Sequence, residues 1–190
     1  MELDYSRYYW KNELIELRQA TKDDWELHYN NYYDTESRFY LDGLQELPPD
    51  KEQCKEEWYK LINEQNRLMF IVLDNSGLAV GCANINSMDE RNGTFSTGMI
   101  IYDGYHGKGY GTSALMMLAN YAFKERRFNK WNSGYVKGNK ASEAMHDKLG
   151  FTIEGVIRES IFHQGAFWDE VLCGMTAEEF IDKHAIYPNQ

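Results

Sequence analysis

The stretch from Gly98 to Phe123 constrains this chain more than any other. It reads Gly-Met-Ile-Ile-Tyr-Asp-Gly-Tyr-His-Gly-Lys-Gly-Tyr-Gly-Thr-Ser-Ala-Leu-Met-Met-Leu-Ala-Asn-Tyr-Ala-Phe: an apolar strand, a glycine-rich turn, then a helix. Gly107, Gly109 and Gly111 admit backbone conformations closed to residues with a β-carbon and let a ligand approach the main chain. From Thr112 onward, Ala114, Leu115, Leu118, Ala119, Ala122 and Phe123 recur at helical spacing, so the turn feeds a buried amphipathic helix. Free N–H groups and the positive dipole end at that helix start favour an anion, most naturally a phosphate. A plain tight strand-to-helix connection would use the same glycines, since a short glycine motif is weak evidence by itself.

Two familiar phosphate loops do not fit. A P-loop needs a lysine directly before Ser or Thr, and Lys108 instead lies between glycines. The dinucleotide fingerprint needs Gly-x-Gly-x-x-Gly and an acidic residue about twenty positions later, and neither is present.

The 190 residues suit one domain, 13–190, preceded by an aromatic-rich arm, 1–12. There is no run of about eighteen apolar residues, and the start Met-Glu-Leu-Asp-Tyr lacks the regions of a signal peptide, which points to a cytoplasmic protein without a membrane partner. Cys54, Cys82 and Cys173 are odd in number and far apart, as expected of reduced thiols. With neither Cys-x-x-Cys nor His-Glu-x-x-His, nothing suggests a metal. The formal net charge of −10 argues against a nucleic-acid partner and suits a cationic acceptor, although an acidic surface also serves solubility alone. Lys108, Lys137, Lys140 and Lys148 gather local positive charge around the motifs.

In chain order, a first strand is expected from Leu14 to Ala20, then a capping-box start at Thr21–Asp24 and a helix over Trp25 to Tyr32. Tyr29, Tyr32, Tyr33, Phe39 and Tyr40, mixed with Asp34, Glu36 and Asp42, read as aromatics packed under a loop, or as a pocket for an amine cation. Pro48-Pro49-Asp50 caps a helix with the stripe Cys54, Trp58, Leu61, Ile62. Strands at Leu68–Leu73, Leu78–Ile85 and Thr94–Tyr102, turning at Asn75–Gly77 and Asp89–Gly93, place three antiparallel strands before the central helix. A strand over Trp131–Val136 precedes a helix capped by Asn139 and stopped by Gly150. A hairpin over Ile153–Phe162 and Phe167–Met175 and a helix over Ala177–His184 end the chain.

His106-Gly107-Lys108-Gly109-Tyr110-Gly111 closely resembles the Gln/Arg-x-x-Gly-x-Gly/Ala signature of the GNAT superfamily of acyl-CoA N-acyltransferases, with His106 a departure at its first position. Asn139-Lys-Ala-Ser142-Glu-Ala-Met-His-Asp-Lys-Leu-Gly-Phe151 resembles the second GNAT motif. Arg91-Asn92-Gly93, Glu154 to Glu159 and Gly165 to Asp169 resemble the ribosomal-protein-alanine N-acetyltransferase branch, so the likeness spans about residues 13–180. It implies an α+β, three-layer fold: a mixed, mostly antiparallel sheet, splayed between its fourth and fifth strands, with helices on both faces. It implies acetyl-CoA as co-substrate, lying in that splay. The backbone of Met99, Ile100 and Ile101 would pair with pantetheine. His106, Gly107, Lys108, Gly109, Tyr110, Gly111 and Thr112 would hold the pyrophosphate, with Asn139 and Ser142 alongside.

The resemblance also suggests catalytic roles. His146 occupies the place where many relatives carry a tyrosine proposed to protonate the leaving thiolate, and an imidazolium can do so. Ser142 can hydrogen-bond the sulfur or pantetheine, or decorate the first helical turn. Many members of the branch carry a glutamate two residues before the strand glycine, where this chain has Ser96. The base therefore stays open between Asp89, Glu90 or Glu159 acting through water and an amine that arrives neutral. The leading expectation is an N-acetyltransferase acting on a small-molecule amine or a protein N-terminus; alternatives are a bulkier acyl group or a non-catalytic acyl-CoA sensor. Relatives that dimerise through the final strands imply a homodimer.

Overall fold

In the computed structural model, which describes residues 8–42, 47 and 50–184, one sheet runs through the molecule in the order β1-β2-β3-β4-β5-β7-β6. The strands are β1 (Ile15–Gln19), β2 (Leu68–Asp74), β3 (Ala79–Asp89), β4 (Thr94–Ile101), β5 (Lys130–Val136), β6 (Thr152–His163) and β7 (Ala166–Thr176). Neighbours pair antiparallel except β4 and β5, which run parallel. The mixed, mostly antiparallel sheet expected from the sequence is thus the one observed. Residues 1–7, Pro48, Pro49, the Asp42 side chain and 185–190, which carry parts of the expected arm, breaker, aromatic pocket and domain end, lie outside the described residues.

Helices cover both faces, and the sequence shows why. β2 reads Leu-Met-Phe-Ile-Val-Leu-Asp, a continuous apolar run suited to a strand buried on two sides. Phe70 and Val72 face the larger core with α4 (Tyr110–Lys124), α5 (Lys140–Leu149) and α6 (Ala177–His184). Met69 and Ile71 face a smaller core under α1 (Trp25–Asn31) and α3 (Lys51–Ile62), where Trp58 is buried. Asp50 caps α3 by accepting the Glu52 and Gln53 N–H groups, each at 3.0 Å. At the entry to α1, the Thr21 N–H donates to the Asp24 carboxylate at 2.7 Å, and Arg18 grips the same carboxylate with both guanidinium nitrogens.

Two elements depart from the sequence reading. Thr35–Asp42 is a helix, α2, rather than an aromatic loop. Its Phe39 is buried and stacks on His163 at the tip of the β6–β7 hairpin, with centroids 3.6 Å apart. β3 continues past Ile85 to Asp89, with a register break after Asn86 where Ser87 takes a positive φ of 49°. The expected helix start at Thr112 moves to Tyr110.

At the centre of the larger core, Phe95 is fully buried, edge-on to Phe123 at 5.2 Å and stacked on Trp131 at 5.8 Å. Since Phe95 and Trp131 are also partners in the short β4–β5 ladder, this packing anchors the two strands where they still touch. Phe95→Ala should therefore lower unfolding free energy by about 3–5 kcal/mol, read from urea titrations; a loss under about 1 kcal/mol would show that the aromatic cluster does not carry the core.

Candidate active site

Among the described residues the β4–β5 ladder consists of Thr94↔Lys130, Phe95↔Trp131 and Ser96↔Asn132, and the Trp131 indole N–H extends the contact by donating to the Thr97 hydroxyl at 3.0 Å. β4 runs on to Ile101 beside β3, while β5 runs on to Val136 beside β7. The sheet therefore opens into a wedge whose facing edges leave alternate main-chain groups of Thr97–Ile101 without a strand partner on that side. A cleft of about 1700 Å³ occupies the wedge and extends to α1 and α2.

The wedge ends at the glycine turn. Gly107 and Gly109 have φ of 74° and 83°, and a side chain at Gly107 would meet open space. The first rung of α4 is the Ser113 N–H on the Gly109 carbonyl at 3.0 Å, so the N–H groups of Tyr110, Gly111 and Thr112 precede the helical ladder. Gly111 lies so close to β4 that a β-carbon there would displace the Met99 thioether. The turn thus presents donors and the positive helix end at the mouth of the cleft, a fit for a diphosphate. His106 is exposed, and its Nε2 donates to the Ile101 carbonyl at 2.6 Å, stapling the turn to the end of β4.

The expected cofactor residues Met99, Ile100, Ile101, His106, Gly107, Gly109, Tyr110, Gly111, Thr112, Asn139 and Ser142 all line this one cleft. Lys108 does not; its ammonium lies over the Tyr105 ring, 5.1 Å from the centroid. Asn139 caps α5 by accepting the Ser142 N–H at 3.1 Å, while Lys140 and Lys148 add positive charge to the cleft wall.

His146 is 4 % exposed and clasped on both sides. Its Nδ1 lies 2.7 Å from the Ser142 carbonyl oxygen, and its Nε2 lies 2.8 Å from the Ser133 hydroxyl. The Tyr135 and Phe151 rings flank it at 5.0 and 4.8 Å. Burial pushes its pKa below the ordinary imidazole value, against the opposing pull of the Ser142 carbonyl and Asp147. Burial thus favours the neutral ring at rest.

On the opposite wall, the aromatic faces suited to an amine are engaged by the chain itself. The Arg38 guanidinium lies 4.3 Å from the Tyr32 centroid and Lys51 5.4 Å from that of Tyr29, while Tyr32 donates to Glu57 at 2.8 Å. None of the carboxylates considered as a base lines the cleft. Asp89 accepts from Asn92, Glu90 pairs with Arg126 at 2.9 Å, and Glu159 sits at a register break of β6. Asp34 and Glu57 do line it, with Asp34 accepting the Ser37 N–H.

Residues 15–152 match the family model described as an acetyltransferase (GNAT) domain. The chain belongs to the GNAT acetyltransferase family. It is 31% identical over 176 residues, 93% of this chain and 97% of the relative, to the SPbeta prophage-derived uncharacterized N-acetyltransferase YokL of Bacillus subtilis strain 168. YdaF of the same strain, assigned provisionally as a ribosomal N-acetyltransferase, is 25% identical over 75% of this chain and 77% of its own. Among solved structures, the spermidine N-acetyltransferase from Vibrio cholerae, in complex with CoA and spermine, superposes with a TM-score of 0.80. That likeness covers 90% of this chain and 99% of the other at 19% identity, and so speaks to the shared fold.

Like its relatives, this GNAT protein is an N-acetyltransferase. Sequence reasoning missed Ser133, a serine between Asn132 and Gly134 with no motif of its own, which lines the cleft and holds His146. It also missed Asn84, whose amide occupies the space above Gly98 that a β-carbon would fill.

Two imidazoles, the buried His146 and the half-buried His28, make stability depend on pH. His28 lines the cleft beside Trp58, and burial, aided by repulsion from Arg38, pushes its pKa down to about 4. The unfolded chain takes up protons near pH 6.5 while the folded His28 and His146 do not, so stability is full above that pH and falls as pH drops towards their folded values. Denaturant midpoints should decline from about pH 7 to pH 5, the slope approaching about 1.4 kcal/mol per pH unit for each imidazole; a flat profile would contradict their burial as neutral rings.

Proposed function

We propose that this protein, as one catalytic domain over residues 13–190 with an arm at 1–12, transfers acetyl from acetyl-CoA directly to the primary amine of a small cationic molecule or a protein N-terminus. The observation that carries this reading is the open wedge between β4 and β5, closed at one end by a glycine turn and a helix start. Acetyl-CoA supplies an activated thioester. Pyrophosphate is held by the amides from His106 to Thr112, with Lys140 and Lys148 offsetting the acidic surroundings. Those main-chain groups of the Met99–Ile101 segment that face the wedge pair with pantetheine as a neighbouring strand would, and an N–H among them faces the thioester oxygen. Asn139 fixes the start of α5, so that the Ser142 hydroxyl and His146 stand beside the sulfur.

The small cationic acceptor is supported by the net charge of −10 and by the structural likeness to a spermidine enzyme, the N-terminal acceptor by the similarity to YdaF. A cytoplasmic setting agrees with Cys54, Cys82 and Cys173 standing outside any disulfide; among the described residues no helix is long and apolar enough to cross a membrane. At the far edge of the sheet, Ile153, Phe162 and Phe167 are each at least 60% exposed, an apolar strip suited to a second copy of the chain.

Three experiments test these readings. Thiol release from acetyl-CoA, followed with spermidine and an alanine-terminated peptide, should proceed with at least one of them. Gly109→Asp, which sets a negative charge in the cradle, should weaken acetyl-CoA binding at least tenfold by calorimetry; unchanged affinity would remove the cradle assignment. Phe162→Glu should shift sedimentation from dimer to monomer, and a wild-type monomer at all concentrations would end the homodimer reading.

A further inference from the structure

We infer that the Ser133 hydroxyl, backed by His146, is the group that moves the proton at the head of the wedge. This rests on the acetyl-transfer reading above and adds a catalytic residue to it. Ser133 is the first residue of β5 beyond Asn132, the last to pair with β4, and so stands at the apex where the two strands part. It lines the cleft from there.

The hydrogen-bond pattern fixes the proton positions. Two Ser142 groups face Nδ1, the carbonyl oxygen at 2.7 Å and the hydroxyl at 3.3 Å; the nearer carbonyl can only accept, so we assign the ring proton to Nδ1, where the hydroxyl can accept it as well. Nε2 is then a bare acceptor, and the Ser133 hydroxyl at 2.8 Å must donate to it. With its proton turned to His146, the Ser133 oxygen keeps lone pairs for a donor in the cleft. The ring is buried between Tyr135 and Phe151, with Asp147 beside it on its own helix, and cannot turn without losing both bonds. His146 borders the cleft, and its bare Nε2 is directed at the Ser133 hydroxyl.

This pair supplies a base and an acid without any carboxylate at Ser96. The amine arrives neutral and its nitrogen bonds to the thioester carbon, becoming positively charged. Ser133 Oγ takes a proton from that nitrogen while passing its own to His146 Nε2. As the carbon–sulfur bond breaks and its electron pair stays on sulfur, His146 returns the proton through Ser133 Oγ to the sulfur. One N–C bond forms, one C–S bond breaks, one proton moves from nitrogen to sulfur, and both side chains end as they began. Burial, which disfavours the imidazolium, makes His146 a brief carrier rather than a store.

The test combines Ser133→Ala and Ser133→Thr with three readouts: acetyl-CoA affinity by calorimetry, kcat and KM with spermidine and an alanine-terminated peptide, and the ¹⁵N resonances of His146. Ser133→Ala should lower kcat about 100-fold while acetyl-CoA affinity and KM stay within about twofold, and Ser133→Thr, which keeps the hydroxyl, should recover most of the rate. Wild-type spectra should show Nδ1 protonated and Nε2 bare, with the Nε2 resonance moving in Ser133→Ala. Acetyl-CoA binding with unchanged kcat in Ser133→Ala would overturn the relay and leave acetyl transfer standing. A wild-type His146 protonated at Nε2 would overturn it independently of any variant. Failure of the wild type to bind acetyl-CoA would overturn the acetyl-CoA reading and the relay together.

Discussion

Everything at the candidate site follows from where β4 and β5 stop sharing hydrogen bonds. A parallel pair has to be held together by its neighbours, and here those neighbours pull apart: β3 keeps β4, β7 keeps β5. The aromatic packing of Phe95 on Trp131 holds the strands at Thr94–Ser96, the Trp131 indole N–H reaches on to the Thr97 hydroxyl at 3.0 Å, and past that point the ladder is open. Main-chain groups that would be satisfied inside an ordinary sheet are left facing a cleft. Their desolvation is tolerable because water, or an extended polar ligand, can reach them. The glycine turn, the α4 start and the α5 cap are all anchored to the ends of these two diverging strands.

The charge distribution adds a second constraint. A strongly acidic chain repels an anionic co-substrate at long range, so attraction has to be built locally, where screening is weakest. Oriented amides and a helix end do this without adding net charge, and Lys140 and Lys148 add to it on the α5 side. On the wall formed by α1 and α2 the balance differs: Arg38 lies over the face of Tyr32, while Asp34, Glu36 and Glu57 line the cleft together with Tyr40.

The elements with strong local signals could be read from the sequence. The spacing of Gly107, Gly109 and Gly111, the cap at Asn139 and the stop at Gly150, whose φ is 91°, depend on short-range backbone geometry. The continuous apolar run of β2 depends only on burial on two faces. α2 was not legible because its stability comes from elsewhere: Phe39 stacks on His163 and Arg38 on Tyr32, contacts made by other elements, and Thr35–Asp42 shows no clean apolar stripe of its own. Ser133 was hidden for the same reason. A serine in a strand says nothing until the fold sets a bare imidazole nitrogen beside it. His146 was recognisable by position, but its protonation state depends on burial and on a carbonyl, which only the three-dimensional arrangement supplies.

The stack of Phe39 on His163 ties together two parts of the molecule that otherwise have separate duties. α2 lines one side of the cleft, and the β6–β7 hairpin carries the apolar outer edge of the sheet. The two rings lie face to face and nearly parallel, 12° apart, so the hairpin tip and the helix share one packed surface. The outermost edge of the sheet is thereby physically continuous with the lining of the cleft.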